Sequence, residues 1–385
     1  MNLIEKIEAA GVVGCGGAGF PTHRKLSGTF EYLIANGAEC EPCLRHDRWL
    51  MRNKAKEIIE AMDAIAAELN IPKAVVALKG HYEEEAAALE SAIASRGSSV
   101  TVHRMESFYP AGDEQTMVYE VTGRVVPPAG IPAAVGAVVD NVATLYAVWE
   151  AMQGIPFTKK FLTVTGEVNV PSVMHVPVGT PILKCIELAG GAKIDDYLVV
   201  SGGPMMGFPI APEKLAEAAV TKTTGGILVL PKGGYHERSA QLNIKRMLSR
   251  AKSACIQCSN CSQLCPRHML GHPLEPHKIM RKMAMGGDPK DMLDDPVIRS
   301  AALCCECGIC EVYACPMGLN PRKINAIIRS ELREAGIRYE RTGDSWTPNP
   351  ERELRKAPTD KVAARAGVYR YNKLDVSNFV EYDGR

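Results

Sequence analysis

Apolar and polar residues in the first 157 positions alternate between two periods. Phe30-Glu31-Tyr32-Leu33-Ile34-Ala35 is a short, mostly apolar run ending at Asn36-Gly37, which predicts a buried strand. Between positions 53 and 69, Ile58, Ile59, Met62, Ile65 and Leu69 share one face of a helix. Ala74-Val75-Val76-Ala77-Leu78 predicts a second strand, residues 83–95 a further helix, and Val100-Thr101-Val102 a third strand. Alternation of this kind implies a parallel sheet with crossover helices, whose ligands gather at the carboxyl ends of the strands. The turn at 36–41 and the loop at 109–116 both follow strands, so both are expected at one crevice.

The pattern changes near position 158. Leu162-Thr163-Val164-Thr165-Gly166-Glu167-Val168 alternates like a half-buried strand. A short apolar helix is expected at 182–188, closed by Gly190-Gly191, and Tyr197-Leu198-Val199-Val200-Ser201 predicts the next strand. From 236 the apolar period is helical. Residues 238–252 place Leu242, Ile244 and Leu248 inward, 273–285 carry Ile279, Met280 and Met283, and 321–335 carry Ile324, Ile327, Ile328 and Leu332. After Glu340 the chain turns polar, with Pro348, Pro350 and Pro358, and reads as a tail or linker in which 369–371 and 379–380 are the segments able to dock as a strand. The expected division is 1–157, 158–235, 236–339 and 340–385.

A chain of 385 residues holds two or three domains, and 46% hydrophobic with 23% charged residues is ordinary for globular protein. A net charge of +1 gives no electrostatic case for nucleic acid. The most apolar run, 129–139, is too short to span a bilayer and is broken by Gly130, Pro132 and Gly136. The N-terminus has no apolar leader segment, so a soluble cytoplasmic protein is expected, still able to dock on a membrane complex. Nine of the thirteen Cys fall within 255–315. That clustering indicates a reducing compartment and metal ligation rather than a disulfide framework.

The cysteine spacing carries the chemistry. Cys255, Cys258, Cys261 and Cys265 with Pro266 read C-x2-C-x2-C-x3-C-P, and Cys304, Cys307, Cys310 and Cys315 with Pro316 read C-x2-C-x2-C-x4-C-P. Triplets of this kind fit zinc poorly and predict two [4Fe–4S] clusters. In two-cluster ferredoxins the Cys beside proline ligates the other cluster. On that pattern Cys255, Cys258, Cys261 and Cys315 hold one cluster, and Cys265, Cys304, Cys307 and Cys310 the other; the unswapped pairing is the alternative. Cys305 is an extra thiol, and His268, His272 and His277 are expected at the surface or as outer neighbours of the clusters. Near the N-terminus, Gly14-Cys15-Gly16-Gly17-Ala18-Gly19-Phe20-Pro21-Thr22 lets backbone N–H groups approach a phosphate closely, although such a loop by itself is equally a turn.

Continued to Lys25, that loop resembles the flavin-binding segment G-R-G-G-A-G-F-P-T-G-x-K of the NADH-oxidising flavoprotein subunit of respiratory complex I. Asn36-Gly37-Ala38-Glu39-Cys40-Glu41-Pro42 resembles the N-A-D-E-G-E-P of the same family, Gly112-Asp113-Glu114 its G-E-E, and Asp140-Asn141-Val142-Ala143-Thr144-Leu145 its N-N-V-E-T-L. The resemblance implies that the backbone of Gly16, Gly17 and Gly19 and the side chain of Lys25 hold FMN phosphate and ribityl groups. It further implies polar flavin contacts from Asn36, Asn141 and Thr144. Glu39, Glu41 and Glu114 would line the isoalloxazine and nicotinamide side; as isolated loop residues they read equally as solvated carboxylates. Ala38 stands where an acid is usual, Cys15 replaces Arg, and Cys40 and Cys43 stand where Gly is usual; these departures bear on NADH binding more than on flavin binding.

Val176-Pro177-Val178-Gly179-Thr180-Pro181 and Gly202-Gly203-Pro204-Met205-Met206-Gly207 resemble the β-grasp soluble-ligand-binding module of that superfamily. Met205 and Met206 are expected to pack, Cys185 to be a core thiol and His175 to be a loop residue. Tyr109-Pro110-Ala111-Gly112-Asp113-Glu114 and Thr122-Gly123-Arg124-Val125-Val126-Pro127-Pro128 are most similar to the branch containing the cobalamin reductases of propanediol-utilisation microcompartments. The implied fold is α/β plus α+β: a Rossmann-like parallel-sheet FMN domain, a β-grasp domain, a helical two-cluster ferredoxin-like domain and a polar tail. The implied reaction is hydride transfer from NAD(P)H to FMN, then single-electron transfer through two [4Fe–4S] clusters to an acceptor, most simply the cobalt of cobalamin. A flavin is required because a hydride brings two electrons and a cluster takes one. The implied partners are NADH and a corrinoid or corrinoid-handling protein, or else ferredoxin at a membrane complex, with oligomer or microcompartment neighbours besides. The reading of another class is a binding protein with structural clusters and no turnover.

Overall fold

The computed structural model describes residues 1–385 apart from 287, 342 and 385. The strands are β1 (Tyr32–Gly37), β2 (Lys73–Lys79), β3 (Thr101–Met105), β4 (Phe108–Tyr109), β5 (Ala137–Asn141), β6 (Lys159–Gly166), β7 (Ser172–Pro177), β8 (Tyr197–Ser201), β9 (Phe208–Pro209), β10 (Gly226–Pro231), β11 (Ala357–Pro358) and β12 (Asn378–Glu381). The first unit is a parallel sheet in the order β3-β2-β1-β5, crossed by helices Ala55–Glu68, Glu83–Arg96 and Val142–Met152. Ile58, Ile59, Met62 and Ile65 are fully buried, so the helical period read from the sequence is the core-facing stripe. β1 starts two residues later than the apolar run and reaches Gly37. Its pairing with β5 sets Asn36 opposite Asn141 at the carboxyl edge of the sheet.

The second unit is a mixed sheet in the order β12-β7-β6-β10-β8-β9, with the helix Ile182–Leu188 packed on it. Leu162, Val164, Val176, Cys185, Ile186 and Val229 fill the space between. His175 lies in β7 rather than in a loop: its ring stacks on Phe161 at 4.0 Å, and its Nδ1 is 3.1 Å from Glu381.

The third unit is helical, built on Ile244–Ala254, Pro276–Met285 and Pro321–Glu334 around Met247, Ile279, Met283, Ile324 and Ile328. The single helix expected at 238–252 is two, Tyr235–Ala240 and Ile244–Ala254. Asn243 breaks it, because its side chain accepts the Arg246 N–H at 3.0 Å and so caps a new start.

Residues 340–385 pack on the body instead of forming a free tail or linker, and 379–380 dock as a strand as expected. β11 pairs antiparallel with β4, the helix Thr359–Arg365 buries Val362 and Ala363, and β12 runs parallel to β7 as the edge of the mixed sheet. Phe379 stacks on Trp49 with ring centroids 4.2 Å apart. A few apolar anchors spaced along a polar segment are enough when each finds a preformed site. Tyr369-Arg370-Tyr371 begins a short helix, Tyr369–Asn372, not a strand. Among the described residues no helix is long and apolar enough to cross a membrane.

Candidate flavin and iron–sulfur site

The glycine loop lies against the end of β5, where a Cβ on Gly16 would stand 3.7 Å from Asn141 Cβ. At Gly17 the backbone φ is +126°, and an added Cβ would meet nothing within 4 Å. The loop therefore turns bare backbone toward open space, in a conformation that favours glycine. Cys15 fixes it from behind: its N–H donates to Thr144 Oγ1 at 2.9 Å, and its thiol faces the Val13 carbonyl. Burial pushes that thiol above its ordinary value, with the charge of Lys160 acting the other way. Lys160 is itself buried, and its Nζ has no hydrogen-bond partner among the described residues.

A cavity of about 1140 Å³ opens in front of this loop. Gly16, Gly17, Asn36 and Asn141 line it, as do the three predicted acids Glu39, Glu41 and Glu114. Gly19, Lys25 and Thr144 stand outside the wall. Gly19 is pressed against Thr223, and Lys25 pairs with Glu114 at 2.7 Å and with Asp140 at 3.6 Å. Burial opposes the Lys25 charge, but Asp140 and Glu114 outweigh it and hold the ammonium above its usual value. Asn36 Nδ2 donates to the Gly112 carbonyl, and Asn141 Nδ2 donates to Asp47 at 2.7 Å.

The acids after β1 are not equivalent. Glu39 Oε1 accepts the Glu41 N–H at 2.8 Å, while burial and the Asp47 charge raise its carboxyl. Glu41 reaches across the cavity mouth, its two oxygens accepting the N–H groups of Met205 and Met206 at 2.8 Å each. Burial nevertheless pushes the Glu41 carboxyl up to about 8. A Cβ at position 203 would lie 2.1 Å from Glu41 Oε2, which is why glycine stands there. Met205 is buried and Met206 exposed at the cavity, so only the first packs as expected.

Sequence reading missed two contributors. Asp47 and His46 line the cavity beside Glu39; burial lifts Asp47 to about 6 and drops His46 to about 4. Opposite them stands the hydroxyl-rich turn of Thr221, Thr223 and Thr224 before β10. Neither lies in a glycine motif, and the only signal for the turn was the run Thr221-Lys222-Thr223-Thr224-Gly225-Gly226 itself.

The cavity floor comes from the third unit, where Cys305 and Cys307 line it. The Tyr109 hydroxyl donates to the Cys307 carbonyl, and Arg267 grips Asp113 through two guanidinium nitrogens at 2.5 and 2.8 Å. Cys261 sits among Cys315, Cys258 and Cys255; burial, then those neighbours, push its thiol up to about 12. Cys265 sits with Cys305 and Cys304, and Cys310 with Cys304 and Cys265. Cys307 is hydrogen-bonded to Cys305 and faces Cys310 and Cys265. Cys261 thus lies with Cys255, Cys258 and Cys315, and Cys265 with Cys304, Cys305, Cys307 and Cys310, while Cys310 also feels Cys261. The extra residue before Cys315 is absorbed by a π-turn at Cys310–Ala314, the usual way a helix takes up one residue too many. Asn325 is buried beside Cys304, with its amide turned to that thiol. Four thiols with a neighbouring N–H donor fit a cluster whose sulfurs accept hydrogen bonds. His272 Nε2 contacts the Val126 carbonyl and His277 Nδ1 contacts Ser262, both away from ligand roles.

A glycine loop opening on a large cavity whose floor carries one of two cysteine groups defines a flavin and iron–sulfur electron-transfer protein. The Nuo51 FMN-binding domain matches residues 7–150, the SLBB domain residues 161–209 and the 4Fe-4S dicluster domain residues 254–320. The chain is 38% identical over 371 residues to the cobalamin reductase PduS of Citrobacter freundii, covering 95% of this chain and 79% of that one. It belongs to that family and is an oxidoreductase. One component of the proton-translocating ferredoxin:NAD(+) oxidoreductase complex of Clostridium ljungdahlii is 34% identical over 274 residues, 70% of this chain and 56% of that one. An NAD+-reducing [NiFe]-hydrogenase in its H2-reduced state shares the fold, with a TM-score of 0.56 at 23% identity, over 88% of this chain and 62% of that one.

Proposed function

We propose that the chain moves electrons from NAD(P)H through FMN and two [4Fe–4S] clusters to the cobalt of a corrinoid. FMN bound in the cavity supplies conversion of a two-electron hydride into single electrons, and the clusters supply one-electron relay. The observation that carries this reading is the shared cavity: the same wall holds Gly16 and Gly17 of the glycine loop and Cys305 and Cys307 of a cluster loop. The backbone of Gly16 and Gly17 would take the phosphate side, with Asn36 and Asn141 meeting polar ring atoms. Thr144 and Lys25 act one step back, the first holding Cys15 and the second holding Glu114 and Asp140. Glu39 and Glu114 face the space for the nicotinamide, whereas Glu41 closes the wall by gripping Met205 and Met206. Ala38, in place of the usual acid, is fully buried and presents no group to a dinucleotide.

The corrinoid acceptor is favoured over ferredoxin because the PduS match spans 95% of the chain, whereas the match to the membrane-complex component spans 70%. By the same kinship the proposed location is the cytoplasm, inside a microcompartment. The test is an anaerobic NADH and NADPH titration of protein reconstituted with FMN, iron and sulfide. Bleaching of the flavin band, then cluster EPR signals, then formation of cob(II)alamin from added hydroxocobalamin is the expected sequence. Retained flavin that neither nucleotide bleaches sinks the donor assignment. Clusters reducible by dithionite in protein that retains no flavin would indicate a scaffold. Reduction of ferredoxin without reduction of hydroxocobalamin would select the membrane-complex reading.

A further inference from the structure

The thiol groups differ in where they face. Cys307, of the group formed with Cys265, Cys304 and Cys310, lines the flavin cavity; none of Cys255, Cys258, Cys261 and Cys315 does. Cys258 is exposed, on a loop whose Ile256 is 62% exposed, and Pro316 and Met317 beside Cys315 are exposed as well. This outer corner is bordered by cations. Residues 243–266 contain no Asp or Glu but hold Lys245, Arg246, Arg250 and Lys252, and residues 312–330 also lack acids. Arg250 reaches the Gly318 carbonyl at 2.9 Å, which places the end of the helix Ile244–Ala254 against the Pro316–Met317 corner.

On the other side lies an open groove of about 560 Å³, lined by Asn260, Tyr313 and Pro316 together with Lys361 and Arg365. Arg246, Lys252, Lys361 and Arg365 are exposed, and among the described residues none has a side-chain ion pair. An apolar corner flanked by uncompensated cations matches a partner of the opposite charge, since complementary charge steers encounter and fixes orientation.

We infer that this corner is the docking face for a small acidic electron-carrier protein standing between this chain and the corrinoid, and that electrons leave the chain through the Cys255, Cys258, Cys261 and Cys315 group. The inference rests on the two-cluster reading above. Each encounter passes one electron from the reduced chain to the oxidised carrier; no bond forms or breaks, and the donor is NAD(P)H-reduced or dithionite-reduced protein.

The test uses rubredoxin as an acidic one-electron probe, menadione as a neutral acceptor and cytochrome c as a basic protein. Raising salt from about 20 mM to about 500 mM is expected to lower kcat/KM for rubredoxin about tenfold and leave menadione unchanged. Lys361→Glu/Arg365→Glu, and separately Lys252→Glu, are expected to lower the low-salt rubredoxin rate about tenfold and to raise that of cytochrome c. Iron content and flavin bleaching by NADH stay as in the parent. A rubredoxin rate flat in salt, variants without effect, or equal losses with menadione overturn the docking face. If NADH fails to bleach the flavin, the donor assignment falls, and dithionite-reduced protein still decides the docking face with the same probes.

Discussion

Asp140 lies one residue before the end of β5 with its carboxyl shut away from water, one oxygen 3.6 Å from Lys25 and the other without a partner among the described residues. Burial raises it from 3.8 to about 6, ahead of the opposing pull of Lys25. The unfolded chain gives up this proton near 3.8, whereas the folded chain keeps it to about 6. The folded state therefore binds more protons across that window, and stability falls as pH rises through it. Asp140→Asn is expected to remove this slope between pH 4 and 6 while leaving the profile above 7 parallel, as read from thermal unfolding midpoints against pH. At this scale much of the site was legible. Glu39, Glu41, Glu114, Asn36 and Asn141 come from short motifs and do meet at one cavity. The role of Glu41 was not legible, because its partners Met205 and Met206 lie 164 and 165 residues away and only folding sets them opposite its carboxylate.

Among elements, the cysteine loops carry the sharpest consequence. The turn Cys310–Ala314 holds a thiol of each group at its two ends, Cys310 within it and Cys315 at its cap. Cys315→Ser is expected to strip iron from the group with Cys255, Cys258 and Cys261, and to leave the Cys265, Cys304, Cys307 and Cys310 group reducible. Cys265→Ser is expected to do the reverse. Iron analysis with EPR of dithionite-reduced protein separates the two outcomes, and loss confined to the cluster nearest in sequence would overturn the exchange of ligands. The spacing C-x4-C announced an irregularity, but the π-turn that absorbs it depends on neighbours. Val312 packs with Ala363 and Val368 of the C-terminal segment, while Glu311 accepts from the Tyr235 hydroxyl. The helix expected at 238–252 failed for a local reason that was present in the sequence: an Asn at a position where a cap outcompetes helix continuation.

Across the whole molecule, the flavin unit and the cluster unit are tied by Asp113 and Arg267, 154 residues apart and both largely buried. Asp113 also caps the helix Glu114–Thr122, so the tie aligns a cavity acid with the loop after Cys265. Asp113→Ala leaves a buried guanidinium unpaired and is expected to cost about 3–5 kcal/mol. Asp113→Leu combined with Arg267→Met is expected to recover most of that loss, because it removes both charges together. Denaturant unfolding measures both, and the double variant is further expected to keep NADH bleaching of the flavin while slowing the appearance of the cluster EPR signals. Little of this tie was visible beforehand, since a lone Asp in a G-D-E run and a lone Arg after C-P are ordinary residues until packing brings them together.

The sequence by itself determined the chemistry: glycine spacing, motif acids and cysteine triplets are local, and backbone freedom and thiol reach act over a few residues. The order of helices and strands was local for the same reason, because it follows from the period of apolar side chains. Only the tertiary structure decided that Glu41 spans two units, and that the polar segment after Glu340 closes both β4 and the edge of the mixed sheet. Each of these depends on pairing between residues far apart in the chain, where polar composition is silent and geometry alone selects the partner.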